Sequence, residues 1–342
     1  MLGSDYRELR DGFHIRLFLN SPIGSVSGEE MHSLDQNGMA RAEGGYGDGH
    51  KSAVRPRCAA TFFRGHGLGN DYLVFPLGDD WIAGERAIRS VCDRQRGVGS
   101  DGIIVVESRD DGVFRLRGYN PDGSEFERSG NGLRVFAAAM WDDGSVGDER
   151  FEAELGGDRV WLQVQGALEH GGRTVAAWMG RASLSSAAVG LDETYLDSGG
   201  RLRLSETESV RCQVVSVGNP HCVVFDEELT EASLRRWGPR ITAHDGFSAG
   251  VNVQLVAPVG PNSIRILIWE RGVGHTTASG TSACASAAAS VASGLVAPGQ
   301  VTVVMEGGEF QVAVSENFDL VLRGPIQGVC RGAMIGAFVA TL

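Results

Sequence analysis

Two serine–glycine steps, each followed by a run of small residues, are the parts of this chain best suited to chemistry. Residues 129–132 read SGNG and lead into LRVFAAAMW, while residues 279–282 read SGTS and lead into ACASAAASVASGL. The two steps lie 150 residues apart (129 to 279), and an Ala-Ala-Ala run recurs at the same spacing. Each pattern predicts a helix N-terminus, where unpaired N–H groups and the helix dipole favour a carboxylate. The repeat therefore indicates two related halves that bind one anionic ligand from both sides.

The segments that must position these two helix starts are mostly strand-like. Residues 60–78 read as strand, glycine loop and strand, residues 82–94 as a short amphipathic helix, and residues 133–141 as a short buried helix. Further strands are expected at residues 102–108, 114–120, 150–155, 159–166, 173–180, 210–218, 221–226, 251–258, 263–272, 301–308, 309–316 and 319–325, with a helix near residues 228–238. Because each half has many strands and few helices, the order indicates an α+β fold rather than alternating βαβ units.

Composition and charge argue against several classes of protein. With 342 residues, 42% of them hydrophobic, the chain can form two domains with well-packed cores. The net charge of −12, without a cationic stripe, argues against a nucleic acid partner. The six cysteines have no CxxC spacing, so neither a metal site nor a disulfide framework is expected, and reduced thiols suit a cytoplasmic protein. No apolar run is long enough for a transmembrane helix, so no membrane partner is expected.

Residues 1–58 differ from the rest of the chain. They are polar and glycine-rich, and their apolar patch, FHIRLFLN, is short and interrupted by charge. Such a composition cannot bury enough apolar surface to offset the entropy lost on ordering. We therefore expect a disordered N-terminal extension that is dispensable for folding and binding.

Seven motifs follow one another along the remaining chain. They are HGLGNDYLVF (66–75), CDRQRGVGSDG (92–102), YNPDGSE (119–125), SGNGLR (129–134), VGNPHCVVF (217–225), VN (251–252) and WERGVGHTTASGTSACA (269–285). Together they resemble diaminopimelate epimerase, a family of cofactor-independent amino acid epimerases, and the resemblance spans about residues 60–340. It implies two similar α+β domains, each a curled, mostly antiparallel sheet around a central helix, with the site between them. The expected domains are 59–180 with the C-terminal tail 330–342, and 181–329.

The resemblance also implies a site chemistry from which this chain departs. Family members invert an α-carbon with two cysteines on opposite faces of the substrate, one taking a proton and the other supplying one. Ser129 and Ser279 stand at these two positions. His275 stands where the family usually has glutamate, and Ser282 where it usually has glycine. Two cysteines of this chain, Cys222 and Cys284, match family positions that are not catalytic.

A serine hydroxyl is a much poorer proton acceptor than a thiolate. Each pK unit of mismatch costs up to ~1.4 kcal/mol, whereas a helix N-terminus typically contributes only ~0.3–1 kcal/mol. Either serine would therefore need a neighbouring base. His275, four residues before Ser279, is the expected candidate, either activating that serine or acting directly as acid or base. The alternatives are that His275 is a loop residue bound to the backbone and that both serines only cap helices.

The resemblance implies two groups of substrate-binding residues. Those expected to hold the distal end of the substrate are Asn70, Asn120, Asn219, Asn252, Glu270 and Arg271. Those expected to bind its α-carboxylate through backbone N–H groups are Gly130, Asn131, Gly280 and Thr281. His221 is a further candidate, with a packed core histidine as the alternative. Asn120 and Asn219 each precede proline, so turn formation is the alternative for both.

The expected function is an isomerase of the epimerase or racemase type that moves a proton on an amino-acid-like or carboxylate substrate, without a cofactor. Because the two thiols are absent, ordinary diaminopimelate epimerisation is not expected. The alternatives are a lyase, a dehydratase or a specialised biosynthetic enzyme on the same scaffold, and a non-catalytic ligand-binding homologue. The expected partner is a small carboxylate substrate, and homodimer formation is left open.

Overall fold

Strands dominate the fold because most segments alternate buried and less buried side chains, as in Phe151–Leu155, where every second residue is buried. The computed structural model describes residues 55–126, 129–168, 171–226 and 228–342. The expected N-terminal extension lies outside the described residues up to residue 54. Arg57 and Cys58, at its expected end, form a short strand with Trp81 and Ile82.

The bounds of the elements are as follows. The strands are β1 (Arg57–Cys58), β2 (Thr61–Gly67), β3 (Asn70–Phe75), β4 (Trp81–Ile82), β5 (Ile103–Asp110), β6 (Val113–Tyr119), β7 (Glu125–Phe126), β8 (Phe151–Leu155), β9 (Asp158–Ala167), β10 (Arg173–Arg181), β11 (Leu202–Arg203), β12 (Ser209–Val210), β13 (Cys212–Ser216), β14 (Pro220–Phe225), β15 (Asn252–Gly260), β16 (Ser263–Glu270), β17 (Gly274–Thr276), β18 (Gly299–Met305), β19 (Gly308–Val314) and β20 (Asp319–Ala333). The α-helices are α1 (Glu85–Cys92), α2 (Gly130–Asp142), α3 (Glu231–Thr242), α4 (Gly280–Ala292) and α5 (Gly336–Val339), and short 3-10 helices lie at Ser186–Val189 and Glu193–Tyr195.

The strands form two closed rings that share β10 and β20. The first ring runs β2, β3, β5, β6, β8, β9, β10 and β20, and it closes because β20 pairs with both β10 and β2. The second runs β13, β14, β15, β16, β18, β19, β20 and β10, and a bridge between Ser183 and Ser216 closes it. Counted from β2 and from β13, both rings follow the same series of antiparallel and parallel pairings. The expected α+β fold with two similar, mostly antiparallel halves is therefore confirmed.

One helix occupies the interior of each ring. In both α2 and α4, ten of the thirteen residues are buried, and both helices belong to one hydrophobic core with the surrounding strands. A helix enclosed by a sheet has no solvent-facing side, which accounts for the alanine-rich, almost uncharged sequences. The more polar helices α1 and α3 pack on the outer faces of the first and second rings. No helix in the described part of the chain is long and apolar enough to cross a membrane.

Strand β20 extends well beyond the segment expected from the sequence, residues 319–325. Its first part pairs with β19 and β10, and its second part pairs with β2. Glycines interrupt the apolar alternation of the strand. A Cβ on Gly324 would lie 2.4 Å from the Arg134 side chain and 2.4 Å from the Phe310 ring, and one on Gly332 would lie 2.7 Å from the Phe62 ring. The neighbouring side chains lie so close to the backbone that they require glycine at these positions, although glycine has a low strand propensity.

Candidate active site

The N-terminus of α2 is built around Ser129. This residue has an extended backbone (φ −150°), and its Oγ accepts a hydrogen bond from the N–H of Gly132 at 3.0 Å. The hydroxyl oxygen of Tyr72 lies 3.1 Å from the same Oγ. The N–H groups of Gly130 and Asn131, in the first turn, have no partner within the helix, so they suit an anion.

The N-terminus of α4 repeats this arrangement. Ser279 is extended (φ −152°), and its Oγ accepts from the N–H of Ser282 at 3.5 Å. Gly280 and Thr281 supply the first-turn N–H groups. Helix capping is thus a role that both serines perform, and it leaves their hydroxyl hydrogens free to point elsewhere.

Both helix starts line one cavity of about 250 Å³. The residues expected at the site that line it are Asn70, Ser129, Gly130, Asn131, Asn219, Glu270, Ser279, Gly280 and Thr281. The lining residues that sequence reasoning missed are Gly67, Tyr72, Thr276, Ala278 and Phe310. Alternation along β3 could have indicated Tyr72, because it lies two residues after Asn70 and so faces the same side. No local pattern marks Phe310, which comes from β19.

Two ionisable side chains stand among the residues that line the cavity, Glu270 and Tyr72. Glu270 ends β16, and its Oε2 accepts a hydrogen bond from the Thr276 hydroxyl at 3.3 Å. Burial raises the pKa of Tyr72 to about 12, so its phenol is protonated at neutral pH. The cavity therefore combines a carboxylate able to accept a proton with a hydroxyl able to donate one.

The asparagine side chains in the first half are held by one another. The Nδ2 of Asn131 donates to the Oδ1 of Asn70 at 2.8 Å, and the Nδ2 of Asn70 donates to Asp101 at 3.1 Å. Asp101 in turn forms an ion pair with Arg94 at 2.7 Å. This chain of contacts fixes the orientation of two amides that line the cavity.

A buried charge lies directly behind α2. Arg134 is fully buried, and its Nε and Nη2 donate to the carbonyl of Gly130 and to the Oδ1 of Asn131, both at 3.1 Å. Its guanidinium also lies over the ring of Phe310, 4.5 Å from the centroid. Burial lowers its pKa to about 10, which still leaves it charged at neutral pH. Since Arg134 has no ion pair with an acidic side chain in the described residues, its positive charge adds to that of the helix terminus.

A polar chain that runs through the fully buried His221 and Gln254 connects the cavity to α4. The Nε2 of His221 lies 2.9 Å from the Oδ1 of Asn219, which lines the cavity, and its Nδ1 lies 3.2 Å from Gln254. Gln254 donates to the hydroxyl of Ser282 at 3.0 Å. Burial lowers the pKa of His221 to about 4, so the imidazole is neutral at neutral pH. His221 therefore contacts a cavity-lining residue but does not line the cavity itself.

The remaining residues expected at the site do not line the cavity. The Nε2 of His275 lies 2.5 Å from a carboxylate oxygen of Glu306. Asn120 bonds Ser124 within its own turn. Asn252 accepts from the backbone N–H of Arg271 at 3.0 Å, and the guanidinium of Arg271 donates to the carbonyl of Ala249.

The two cysteines that match family positions lie in the protein interior. Cys222 and Cys284 are fully buried and belong to the hydrophobic cores, and none of the six cysteines, all of which lie in the described ranges, forms a disulfide. Within the described ranges, no group of three or more His, Cys, Asp or Glu side chains is arranged to hold a metal ion.

Comparison with known proteins agrees with this architecture. The family model for diaminopimelate epimerase matches residues 62–185 and 213–329. The chain is 34% identical to diaminopimelate epimerase 2 of Nostoc sp. strain PCC 7120 over 284 residues, which cover 80% of this chain and 95% of that relative. It is 35% identical to diaminopimelate epimerase of Desulforudis audaxviator over 282 residues, which cover 81% and 99% of the two chains.

Solved structures show the same fold at low sequence identity. A hydroxyproline epimerase from Agrobacterium vitis, solved with bound trans-4-hydroxy-L-proline, matches with a TM-score of 0.54 and 16% identity over 80% of this chain and 91% of that one. A phenazine biosynthesis protein of the PhzF family from Bacillus anthracis matches with a TM-score of 0.57 and 14% identity over 80% and 98%. With its repeated rings, paired helix starts and matched sequence, the chain belongs to the diaminopimelate epimerase family and is an isomerase of the epimerase and racemase type.

Proposed function

We propose that this protein inverts the α-carbon of an amino-acid-like substrate by proton transfer, without a cofactor, in the cavity between Ser129 and Ser279. The observation that carries the proposal is the meeting of two serine-capped helix N-termini at one cavity that also holds a single carboxylate side chain, Glu270, among its lining residues.

The substrate carboxylate binds at the two helix starts. The first-turn N–H groups of Gly130, Asn131, Gly280 and Thr281 supply directional donors, and the dipoles of α2 and α4 both direct positive potential to this point. The buried guanidinium of Arg134 contributes a full charge behind α2. These groups also stabilise the carbanion, because removing the α-proton spreads negative charge onto the substrate carboxylate.

The proton acceptor at neutral pH is Glu270 or His275. Glu270 lines the cavity and needs no activation to accept a proton. His275, whose imidazole contacts Glu306, remains the sequence-based proposal for a group that acts as acid or base or activates Ser279. Ser129 and Ser279 themselves deliver or relay protons rather than act as strong bases, because an aliphatic hydroxyl is not ionised at neutral pH.

The substrate differs from that of an ordinary diaminopimelate epimerase. Two thiols at positions 129 and 279 would be needed for the chemistry that the family resemblance implies, and this chain has serines there. Similar proteins are named as epimerases of diaminopimelate and of hydroxyproline. Both compounds are α-amino acids, and they differ in the side chain. We propose an α-amino or related α-substituted carboxylic acid whose α-hydrogen is acidic enough for a carboxylate or imidazole base.

Solvent deuterium exchange tests this function. The protein is incubated in D₂O with single enantiomers of a panel that includes LL-diaminopimelate, trans-4-hydroxy-L-proline, L-proline and other α-amino acids. We expect deuterium at the α-carbon of at least one probe together with appearance of the opposite configuration. Deuterium uptake with loss of a leaving group would instead favour a lyase, and binding without any uptake would favour a ligand-binding homologue. Either result would overturn the proposal.

A further inference from the structure

The hydroxyl groups of Tyr72 and Ser129 form a pair at the cavity. Their oxygens lie 3.1 Å apart, and both side chains line the cavity. Ser129 Oγ already accepts the N–H of Gly132. A serine hydroxyl has two acceptor sites and one donor, so Ser129 can accept the O–H of Tyr72 as well and point its own hydrogen into the cavity. The geometry thus forms a two-hydroxyl chain that ends at the substrate.

The surroundings hold the phenol of Tyr72 in this position. The ring is 8% exposed and contacts Phe126 edge to face, with centroids 6.1 Å apart. A Cβ on Gly102 would lie 2.5 Å from this ring, and one on Gly132 would lie 3.2 Å from it. Two glycines therefore allow the ring to pack between the start of β5 and the first turn of α2, which is where its hydroxyl reaches Ser129.

We propose that Tyr72 supplies, through Ser129, the proton for one face of the substrate α-carbon, while Glu270 serves the other face. This inference rests on the proposed function and names the proton donor that takes the place of the absent thiol. A phenol suits the far end of such a chain, since resonance in the ring stabilises the negative charge left behind, whereas a serine alkoxide has no such stabilisation.

The Glu270 carboxylate takes the α-proton, and the electron pair of the broken C–H bond stays on the substrate, delocalised into its carboxylate. On the opposite face a new C–H bond forms with the proton of Ser129, whose oxygen takes the proton of Tyr72. The products are the inverted substrate, a Glu270 carboxylic acid and a Tyr72 phenolate, and solvent then carries the proton from Glu270 back to Tyr72.

The two faces of the substrate make this proposal testable. One enantiomer has its α-hydrogen facing Glu270, which the proposal assigns as its base, while Tyr72 supplies the proton for the other face. In Tyr72→Phe that enantiomer still exchanges its α-hydrogen with D₂O at Glu270, with retention of configuration. Inversion of the same enantiomer falls ~10²–10⁴-fold, the usual contribution of an acid–base group. A merely structural role for the hydroxyl would lower exchange and inversion together.

Tyr119→Phe is the matched control. Tyr119 is also a buried tyrosine of the first half, 2% exposed, and it does not line the cavity. We expect inversion by this variant at the wild-type rate. A second variant carries 3-fluorotyrosine at position 72, whose more acidic phenol should move the high-pH limb of the inversion rate to lower pH while leaving the fold and the ring contacts in place.

The outcomes separate this inference from the proposed function. If the wild type exchanges and inverts a probe from the amino acid panel while Tyr72→Phe inverts it at an undiminished rate, Tyr72 is not the proton source and the proposed function stands. Equal loss of exchange and inversion in Tyr72→Phe, or an unmoved pH limb with 3-fluorotyrosine, also overturns the inference alone. A wild type that exchanges no probe overturns the proposed function, and the inference with it.

Discussion

Gly130 and Gly280, the first residues of α2 and α4, face each other at the junction of the two rings: a Cβ built on Gly280 would lie 4.0 Å from the Cα of Gly130. The same Cβ would lie 2.9 Å from the end of the Leu322 side chain. The absence of side chains at these two positions therefore brings two helix N-termini from different halves of the chain within reach of one small anion.

Replacing Gly280 by proline should weaken carboxylate binding without breaking α4. Proline is tolerated at the first helical position but carries no N–H, so the helix forms while one donor is lost. A hydrogen bond to a charged group contributes roughly 1.5–3 kcal/mol, so affinity should fall about tenfold to a hundredfold. Isothermal titration calorimetry with the amino acid that exchanges fastest measures this.

Gly280→Ala is the control for that change, because it adds a Cβ at the same place and keeps the N–H. We expect the alanine variant to lose much less affinity than the proline variant. Gly130→Ala and Gly130→Pro should differ in the same way. Equal affinity in the proline and alanine variants would show that these N–H groups do not bind the carboxylate.

Restoring two thiols should raise epimerisation of LL-diaminopimelate. The native chain should show weak activity or none on this compound, whereas Ser129→Cys combined with Ser279→Cys places groups with a pKa of about 8.5 at helix N-termini, which lower it further. Conversion to the meso form, followed by chromatography, reports the result. Strong activity of the native chain would refute the prediction that serines at these two positions prevent the reaction. No gain in the double variant would indicate that the binding residues have changed.

His275→Gln and Glu270→Gln distinguish the two candidate bases. Loss of a general acid or base costs ~10²–10⁴ in turnover, and loss of a titratable group that takes part in the reaction should also change the shape of the pH–rate profile. Glu306→Gln is the matched control for His275, since it removes the carboxylate that contacts the imidazole. Wild-type turnover in His275→Gln would mean that His275 is a loop residue without a catalytic role, and Glu270 would remain as the candidate base.

Acid should destabilise the fold through His221. Its pKa is about 4 in the folded chain, against 6.5 for an ordinary histidine. Between these values the unfolded chain binds a proton that the folded chain does not, so the free energy of unfolding falls as the pH drops from about 6.5 to about 4, by up to roughly 3 kcal/mol. Urea unfolding at pH 7, 6 and 5 measures this. His221→Gln should flatten the dependence, and a variant as acid-sensitive as the wild type would contradict this assignment.

The sequence predicts where the strands and helices lie better than it predicts how the strands close into rings. Strands and both central helices can be located from alternation, glycines and the repeated serine–glycine steps. The length of β20 cannot, because its glycines reflect packing against residues that are distant in sequence: Gly324 lies against Arg134 and Phe310, Gly328 against Phe63 and Gly332 against Phe62. Both rings contain this strand and the first ring closes through it, so local sequence patterns do not show how the two halves join.

The residues of the candidate site likewise divide into those that a local motif predicts and those that contacts between distant segments bring to the site. The helix-start residues come from a local motif, and they line the cavity as a group. Tyr72 was detectable only by counting two residues along a strand from Asn70, and the burial of His221 depends on Gln254 from another strand. Phe310, which reaches the cavity from β19, leaves no such local signal.

Removal of residues 1–54 should leave stability and ligand affinity unchanged. This segment has few apolar residues and lies outside the family motifs. The cut is best made before Arg55, because Cys58 is fully buried and β1 pairs with β4. Thermal unfolding and calorimetric titration of the shortened chain test the expectation, and a fall of many degrees in the melting temperature would mean that FHIRLFLN packs on the body.

The double use of β20 has a consequence for synthesis on the ribosome. Thr61, near the start of the first ring, pairs with Ala333, near the C-terminus. A nascent chain that has completed every other strand of the first ring still lacks the one that joins β10 to β2, so two strand edges stay unpaired until β20 has been synthesised. The first ring therefore cannot close before β20 is made, and we expect its two open strand edges to be where pairing with other chains competes with folding.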